Sequence, residues 1–277
     1  MKIHVLNCGY IKISKRLIET GGIISDLSRA VLTPDAQRIE LPVHAFLIEH
    51  ASGLYLVDTG LSRDISPLGE YDRKASEKVI SKRLAAIYHP YVPEGMAVHE
   101  QLASMGISPN DLMAVLITNF DIDHVAGLKH VAEAKKIIVP EDEAYWSVRT
   151  KYKLRQNREL WEPYITDRLF FRGHLIGPMN KAIDILGDGS LVMVSIPGYT
   201  DGQVGLKVSD NGKYVFIASD AAFYPDNWIK MKAPGLGANE ELQLKTMRWL
   251  SGTAEDDACE CILCTHDPDL KRRTIDL

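Results

Sequence analysis

Ile117-Thr118-Asn119-Phe120-Asp121-Ile122-Asp123-His124-Val125-Ala126-Gly127 follows a short apolar strand, Ala114 to Thr118, and sets Asn119, Asp121, Asp123 and His124 at i, i+2, i+4 and i+5. A strand end that feeds a loop can turn such closely spaced side chains onto one centre. An Asn/Asp-rich loop is also ordinary turn chemistry, so this stretch alone does not establish a site. Three other strand ends add to it. Pro197-Gly198-Tyr199-Thr200-Asp201-Gly202 follows an apolar run at Leu191 to Ser195, Ser219-Asp220 closes Tyr214 to Ala218, and Thr265-His266-Asp267 closes the run that begins at Cys261. A single His or Asp after a strand is usually a turn or capping residue. Four such deliveries in one chain point to a shared centre.

The chain has 277 residues, 45% hydrophobic and 25% charged, enough to bury a large core. The formal net charge of -5 lacks the clustered excess of Lys and Arg that phosphate contacts need, which argues against nucleic acid and for a small-molecule partner. No stretch approaches the ~20 apolar residues of a membrane span, and the opening MKIHVLNCGYIKI has no apolar run of signal-peptide length. A cytoplasmic protein, monomeric or homodimeric, is expected. Cys8, Cys259, Cys261 and Cys264 are too few and too unevenly placed for a disulfide framework. The run C-E-C-I-L-C invites a zinc reading, but four ligands with a turn between them are required. As a strand it sends Cys261 and Cys264 to opposite faces as small core residues.

Strand-like runs occur at Lys2 to Asn7, and at Leu41 to Glu49 and Leu54 to Asp58 around a polar turn. Helical patterns cover Ser76 to Tyr88 and Val98 to Met105, the latter ending at Gly106. Further strands are expected at Lys136 to Val139, Ile183 to Leu186, Gly205 to Val208 and Cys261 to Cys264, with helices from Glu141 and at Glu240 to Leu250. Strands in two runs with interleaved helices and no linker suggest one α/β domain over residues 1–277, two packed sheets flanked by helices. Residues 141–180 differ in character. Tyr145, Trp146, Tyr152, Trp161, Tyr164, Phe170 and Phe171 stand among Arg149, Lys151, Lys153, Arg155 and Arg158. This reads either as a lid or pocket wall, or as a solvated basic face whose aromatics pack on the sandwich.

Taken together, Leu41-Pro42-Val43, Leu56-Val57-Asp58-Thr59-Gly60, Asp123-His124-Val125-Ala126-Gly127, Pro197-Gly198, Ser219-Asp220 and His266-Asp267 resemble the metallo-β-lactamase superfamily, in its N-acyl homoserine lactonase branch. The resemblance runs in order from about residue 40 to 267. It implies an αββα sandwich of two mixed sheets with a metal site at one edge. It also implies a second metal position formed by Asp123, His124 and His266, with Asp220 as the bridging carboxylate. Two imidazoles and two carboxylates suit Zn, Fe or Mn. Asp58 is implied as a brace behind the ligands.

The first metal position departs from the pattern. Where His-x-His-x-Asp-His is usual, the chain has Asn119-Phe120-Asp121-Ile122-Asp123-His124, and Tyr199 replaces the His after Pro-Gly. Asn119, Asp121 and Tyr199 still offer oxygen, which favours harder cations, so one or two divalent ions are expected. Phe223 stands where these lactonases place a tyrosine that holds the substrate carbonyl, leaving Tyr199 or Tyr224 to supply a phenol. The implied activity is metal-dependent hydrolysis of an ester or lactone, with Asp123 and Asp220 at the reacting centre. The alternatives are a non-catalytic sandwich that binds a small molecule or partner, and other metal chemistry such as phosphodiester hydrolysis or iron redox. His4, His44, His89, His99, His130 and His174 fit no ligand pattern, although His44 opens the strand before Asp58.

Overall fold

The computed structural model describes residues 1–19, 33–171, 175–271 and 273–277; His174 lies outside them. Its strands are β1 (Lys2–Ser14), β2 (Arg38–His50), β3 (Gly53–Val57), β4 (Leu112–Leu116), β5 (Ile137–Pro140), β6 (Asp167–Leu169), β7 (Ala182–Asp184), β8 (Leu191–Ser195), β9 (Val204–Asp210), β10 (Lys213–Ser219), β11 (Cys259–Cys264) and β12 (Thr274–Asp276). They form a seven-stranded sheet in the order β12-β1-β2-β3-β4-β5-β6 and a five-stranded sheet in the order β11-β10-β9-β8-β7. Both sheets are mixed. β3 to β6 run parallel while β1, β2 and β12 pair antiparallel, and β10 with β11 is the parallel pair of the smaller sheet.

Strand alternation builds the layers. Along β2, Phe46 and Ile48 point inward and meet Val57 and Leu116, while Met193, Leu206, Val215 and Leu263 come from the facing sheet. The alternate residues Ala45 and Leu47 point outward, where Val98 and Leu102 of the helix Val98–Ser104 cover them. On the far side, Met247 and Leu250 of the helix Glu240–Ala254 close over Val194 and Phe216. Helix, sheet, sheet and helix thus stack in the expected αββα order. Cys261 lies against the inter-sheet core and Cys264 against the helix side, and the four cysteines are unbridged. Among the described residues no helix is long and apolar enough to cross a membrane.

Some elements differ from expectation. The helical pattern from Ser76 to Tyr88 is two helices, Arg73–Ile80 and Lys82–Tyr88. Ser81 breaks it with φ 95°, and its hydroxyl accepts from the Leu84 amide to start the second helix. The short strands β6 and β12 complete the two edges of the larger sheet. Three-residue strands have too little alternation to be recognised by pattern.

Parallel pairing puts the C-terminal ends of β3 and β4 at one rim, and those of β10 and β11 opposite. Backbone bonds lace the two ends together: the His44 amide donates to the Thr265 carbonyl (2.9 Å) and the Val204 amide to the Thr118 carbonyl (3.1 Å). After β4 the chain makes one helical turn, Ile122–Val125. That turn is tied to the loop after β3, because the Thr59 amide and hydroxyl both donate to the His124 carbonyl and the Gly127 amide donates to Gly60. Gly127 permits this approach, since a Cβ there would lie 2.3 Å from the Thr59 carbonyl oxygen. Gly127→Ala is therefore expected to destabilise the protein by about 1–3 kcal/mol through forced backbone displacement, measured by denaturant unfolding.

Candidate metal centre

Asp58, at the end of β3, adopts φ 58°, a left-handed conformation that Asp tolerates better than most residues. From there its carboxylate accepts from the Thr118 amide (2.9 Å), the Thr118 hydroxyl (2.7 Å) and His124 Nδ1 (2.8 Å). With Nδ1 committed as donor to Asp58, His124 turns Nε2 toward Asp220 Oδ2 at 2.9 Å and Asp123 Oδ1 at 3.8 Å. His266 repeats this logic. Its Nδ1 donates to the Pro42 carbonyl (2.8 Å), and its Nε2 lies 3.1 Å from Asp123 and 3.4 Å from Asp220 Oδ1.

Asp123, His124, Asp220 and His266, all buried, thus bring their ligand atoms within 4.8 Å of one another. Burial opposes charge on both imidazoles, yet the carboxylates hold His124 well above, and His266 above, the ordinary imidazole range. Burial also opposes ionisation of Asp123, but His124 and His266 bring its carboxyl down to about 2. Asp220 Oδ1 is buried without a hydrogen-bond partner. Two imidazoles fixed through Nδ1, with the Nε2 of each turned to a carboxylate, and an Asp220 oxygen without a hydrogen-bond partner fit a tetrahedral or larger divalent site, an ion displacing the Nε2 protons as it binds.

Asn119, Asp121 and Tyr199 are arranged differently. The Asn119 side-chain oxygen accepts from the Asp121 amide (2.9 Å), while its Nδ2 faces Asp220 Oδ2 at 3.5 Å. The Asp121 carboxylate accepts from Arg155, through Nε at 3.0 and 3.1 Å and through Nη2. The guanidinium also donates to the Leu236 carbonyl and lies 4.5 Å above the Tyr199 ring. Arg155 is only 1% exposed. Burial opposes its charge, but Asp121 outweighs that and keeps it firmly ionised.

A match to the metallo-β-lactamase superfamily spans residues 38–248. The chain belongs to that superfamily. It is similar to the N-acyl homoserine lactonase AttM of Rhizobium radiobacter, 24% identical over 83% of each chain. It is also similar to a probable metallo-hydrolase of Mycobacterium tuberculosis, 26% identical over 98% of this chain and 81% of that one. Among solved structures, an N-acyl homoserine lactone hydrolase with N-hexanoyl-L-homoserine at its catalytic metal centre superposes with a TM-score of 0.73. That pair is 18% identical, covering 97% of this chain and 94% of the other. The dizinc lactonase AidC superposes at 0.63, with 13% identity over 96% and 87%.

Within the superfamily frame, the residues expected at the two metal positions separate into two sets. One set converges with open ligand atoms. In the other, Arg155 engages Asp121 and Tyr199 while Asn119 bonds the Asp121 amide and faces Asp220; the sequence pattern left the segment that carries Arg155 open between a lid or pocket wall and a solvated basic face. Arg155 instead points inward from residues 141–180, where Tyr152 and Trp161 are also buried and Trp161 stacks on Phe120 at 3.8 Å. Phe223 packs edge-on against His266 and Tyr199, and Tyr224 is half-buried beside it. His44 donates Nδ1 to the Thr265 carbonyl, and burial lowers its pKa to about 4, so it serves the rim as a neutral ring.

Glu143 is a second residue that sequence reasoning missed. It accepts from the Phe120 amide, the Thr200 hydroxyl and Gln156 Nε2, linking the two loops on either side of Asp121. No motif marks it in the helix Glu141–Ser147. Burial raises its carboxyl to about 7 from 4.5. The folded state then keeps a proton that the unfolded chain has lost, so stability falls by roughly 3 kcal/mol as pH rises through this window and levels off above it. Glu143→Gln should flatten that slope in unfolding titrations. Asp58→Asn, which suits the same backbone conformation, is expected to weaken metal affinity by roughly 10–100-fold, read by metal titration.

Proposed function

We propose that this protein is a metal-dependent hydrolase that opens an ester or lactone bond in a small molecule. The observation that carries this reading is the convergence of four buried ligand atoms, with both imidazoles held by their Nδ1 atoms. The lactone preference draws on the similar AttM lactonase and on the product at the metal centre of the similar hydrolase. A divalent ion in this position supplies Lewis acidity toward a carbonyl oxygen and makes water a stronger acid.

In this reading, Asp58 and the Pro42 carbonyl fix the tautomers of His124 and His266, so that Nε2 of each ring stays free to ligate. Asp220, whose Oδ1 has no hydrogen-bond partner, takes the proton released as water oxygen bonds to the acyl carbon. The acyl C–O bond then breaks, and the proton returns to the departing alkoxide. Tyr199 lies beneath Arg155 and so is poorly suited to hold the carbonyl, which leaves Tyr224 as the candidate phenol. Phe223 and the missing first-position histidines favour a second reading, a sandwich that binds a ligand without turning it over.

Turnover of a lactone and ester panel by protein loaded with Zn, Mn or Fe separates the two. The hydrolase reading expects metal-dependent hydrolysis that falls by on the order of 100-fold or more in His266→Ala. Hydrolysis no faster than the chelated control under every loading would reject it.

A further inference from the structure

We infer that the Arg155 guanidinium is a built-in cation at the first metal position, so that the centre takes one divalent ion instead of two. This rests on the metal-binding reading above and concerns how many ions that site accepts. Three observations carry it. First, the guanidinium engages two of the three side chains at the positions where the superfamily signature carries first-site histidines, bonding Asp121 and lying over Tyr199. The third, Asn119, is engaged elsewhere, its oxygen accepting the Asp121 amide and its Nδ2 facing Asp220 Oδ2.

Second, the group is fully committed. Nε and Nη2 go to Asp121 and Nη1 to the Leu236 carbonyl, with the Tyr199 carbonyl 3.5 Å away, and the residue is 1% exposed. A second cation would have to break this pair or lie against a positive charge. Third, a second ion would add two positive charges to a buried place where Arg155 already compensates Asp121 and one divalent cation offsets Asp123 and Asp220, the remaining carboxylate, Asp58, being held by an amide, a hydroxyl and an imidazole.

Arg155 is thus a positioning residue. Buried away from solvent, it sets the nuclearity of the centre through Asp121.

The test is metal counting on the full chain, stripped and then reloaded with excess Mn(II), together with the electron paramagnetic resonance spectrum. One ion per chain with an uncoupled Mn(II) signal is expected. Two ions per chain, or an exchange-coupled pair, would overturn the inference and leave the hydrolase reading standing. Failure to bind any ion would overturn both. Arg155→Met, which frees Asp121, should raise the count toward two. Arg155→Met combined with Asp121→Asn removes both charges and should return it to one in a chain with no unpaired buried carboxylate. A folded Arg155→Met protein that still binds a single ion would refute the role given to the guanidinium. Should that variant not fold, the wild-type count and the double variant decide: two ions in either would overturn the inference.

Discussion

Four carboxylates, Asp58, Asp121, Asp123 and Asp220, are buried together at one rim of the sandwich, none more than 4% exposed. A buried anion without a partner costs several kcal/mol, so the surrounding structure is organised around compensating them. Asp58 is met by an amide, a hydroxyl and an imidazole, Asp121 by a guanidinium, and Asp123 and Asp220 by two imidazoles. The left-handed backbone at Asp58 and Ser219, φ 58° and 52°, occurs where strand ends must turn such groups inward.

This constraint also explains why fold and site cannot be separated. His266 comes from the end of β11 in one sheet and bonds the carbonyl of Pro42 in β2 of the other. Thr118, which follows β4, bonds both Asp58 and Ser219, and its carbonyl accepts the Val204 amide. The contacts that orient the ligands are therefore the contacts that hold the two sheets in register at this rim. Loosening one sheet against the other would disperse the ligands.

Much of this was legible from sequence because strands announce themselves by alternation and their polar C-terminal ends fall at fixed places. Asp123, His124, Asp220 and His266 each follow such a run, and their order along the chain matched a known pattern. Arg155 was illegible for a physical reason. It sits among Arg149, Lys151, Lys153 and Arg158 in short turns without periodicity, so nothing local distinguishes the one fully buried cation from its neighbours. Its partner Asp121 was visible, but as an oxygen donor seeking a cation. Sequence could say that a positive charge was needed there, not that the chain supplied it. Glu143 was hidden likewise, because its partners lie on loops that converge only once the sheets are packed.

Under the single-ion proposal, exchanging a divalent ion held by three imidazoles for a guanidinium paired with a carboxylate would change the electrostatics of that half of the centre from two positive charges to none. Electrophilic power would then rest on an ion at the other position and on oriented dipoles. A phosphodiester brings its own negative charge and benefits from cations on both sides. An ester or lactone carbonyl arrives neutral and develops charge on one oxygen only, which a single ion can stabilise. On the proposed single-ion reading, charge balance at Asn119, Asp121 and Tyr199 would suit a neutral acyl substrate better than an anionic one. Phosphodiester hydrolysis, which the fold can host, would on that reading gain less from this arrangement.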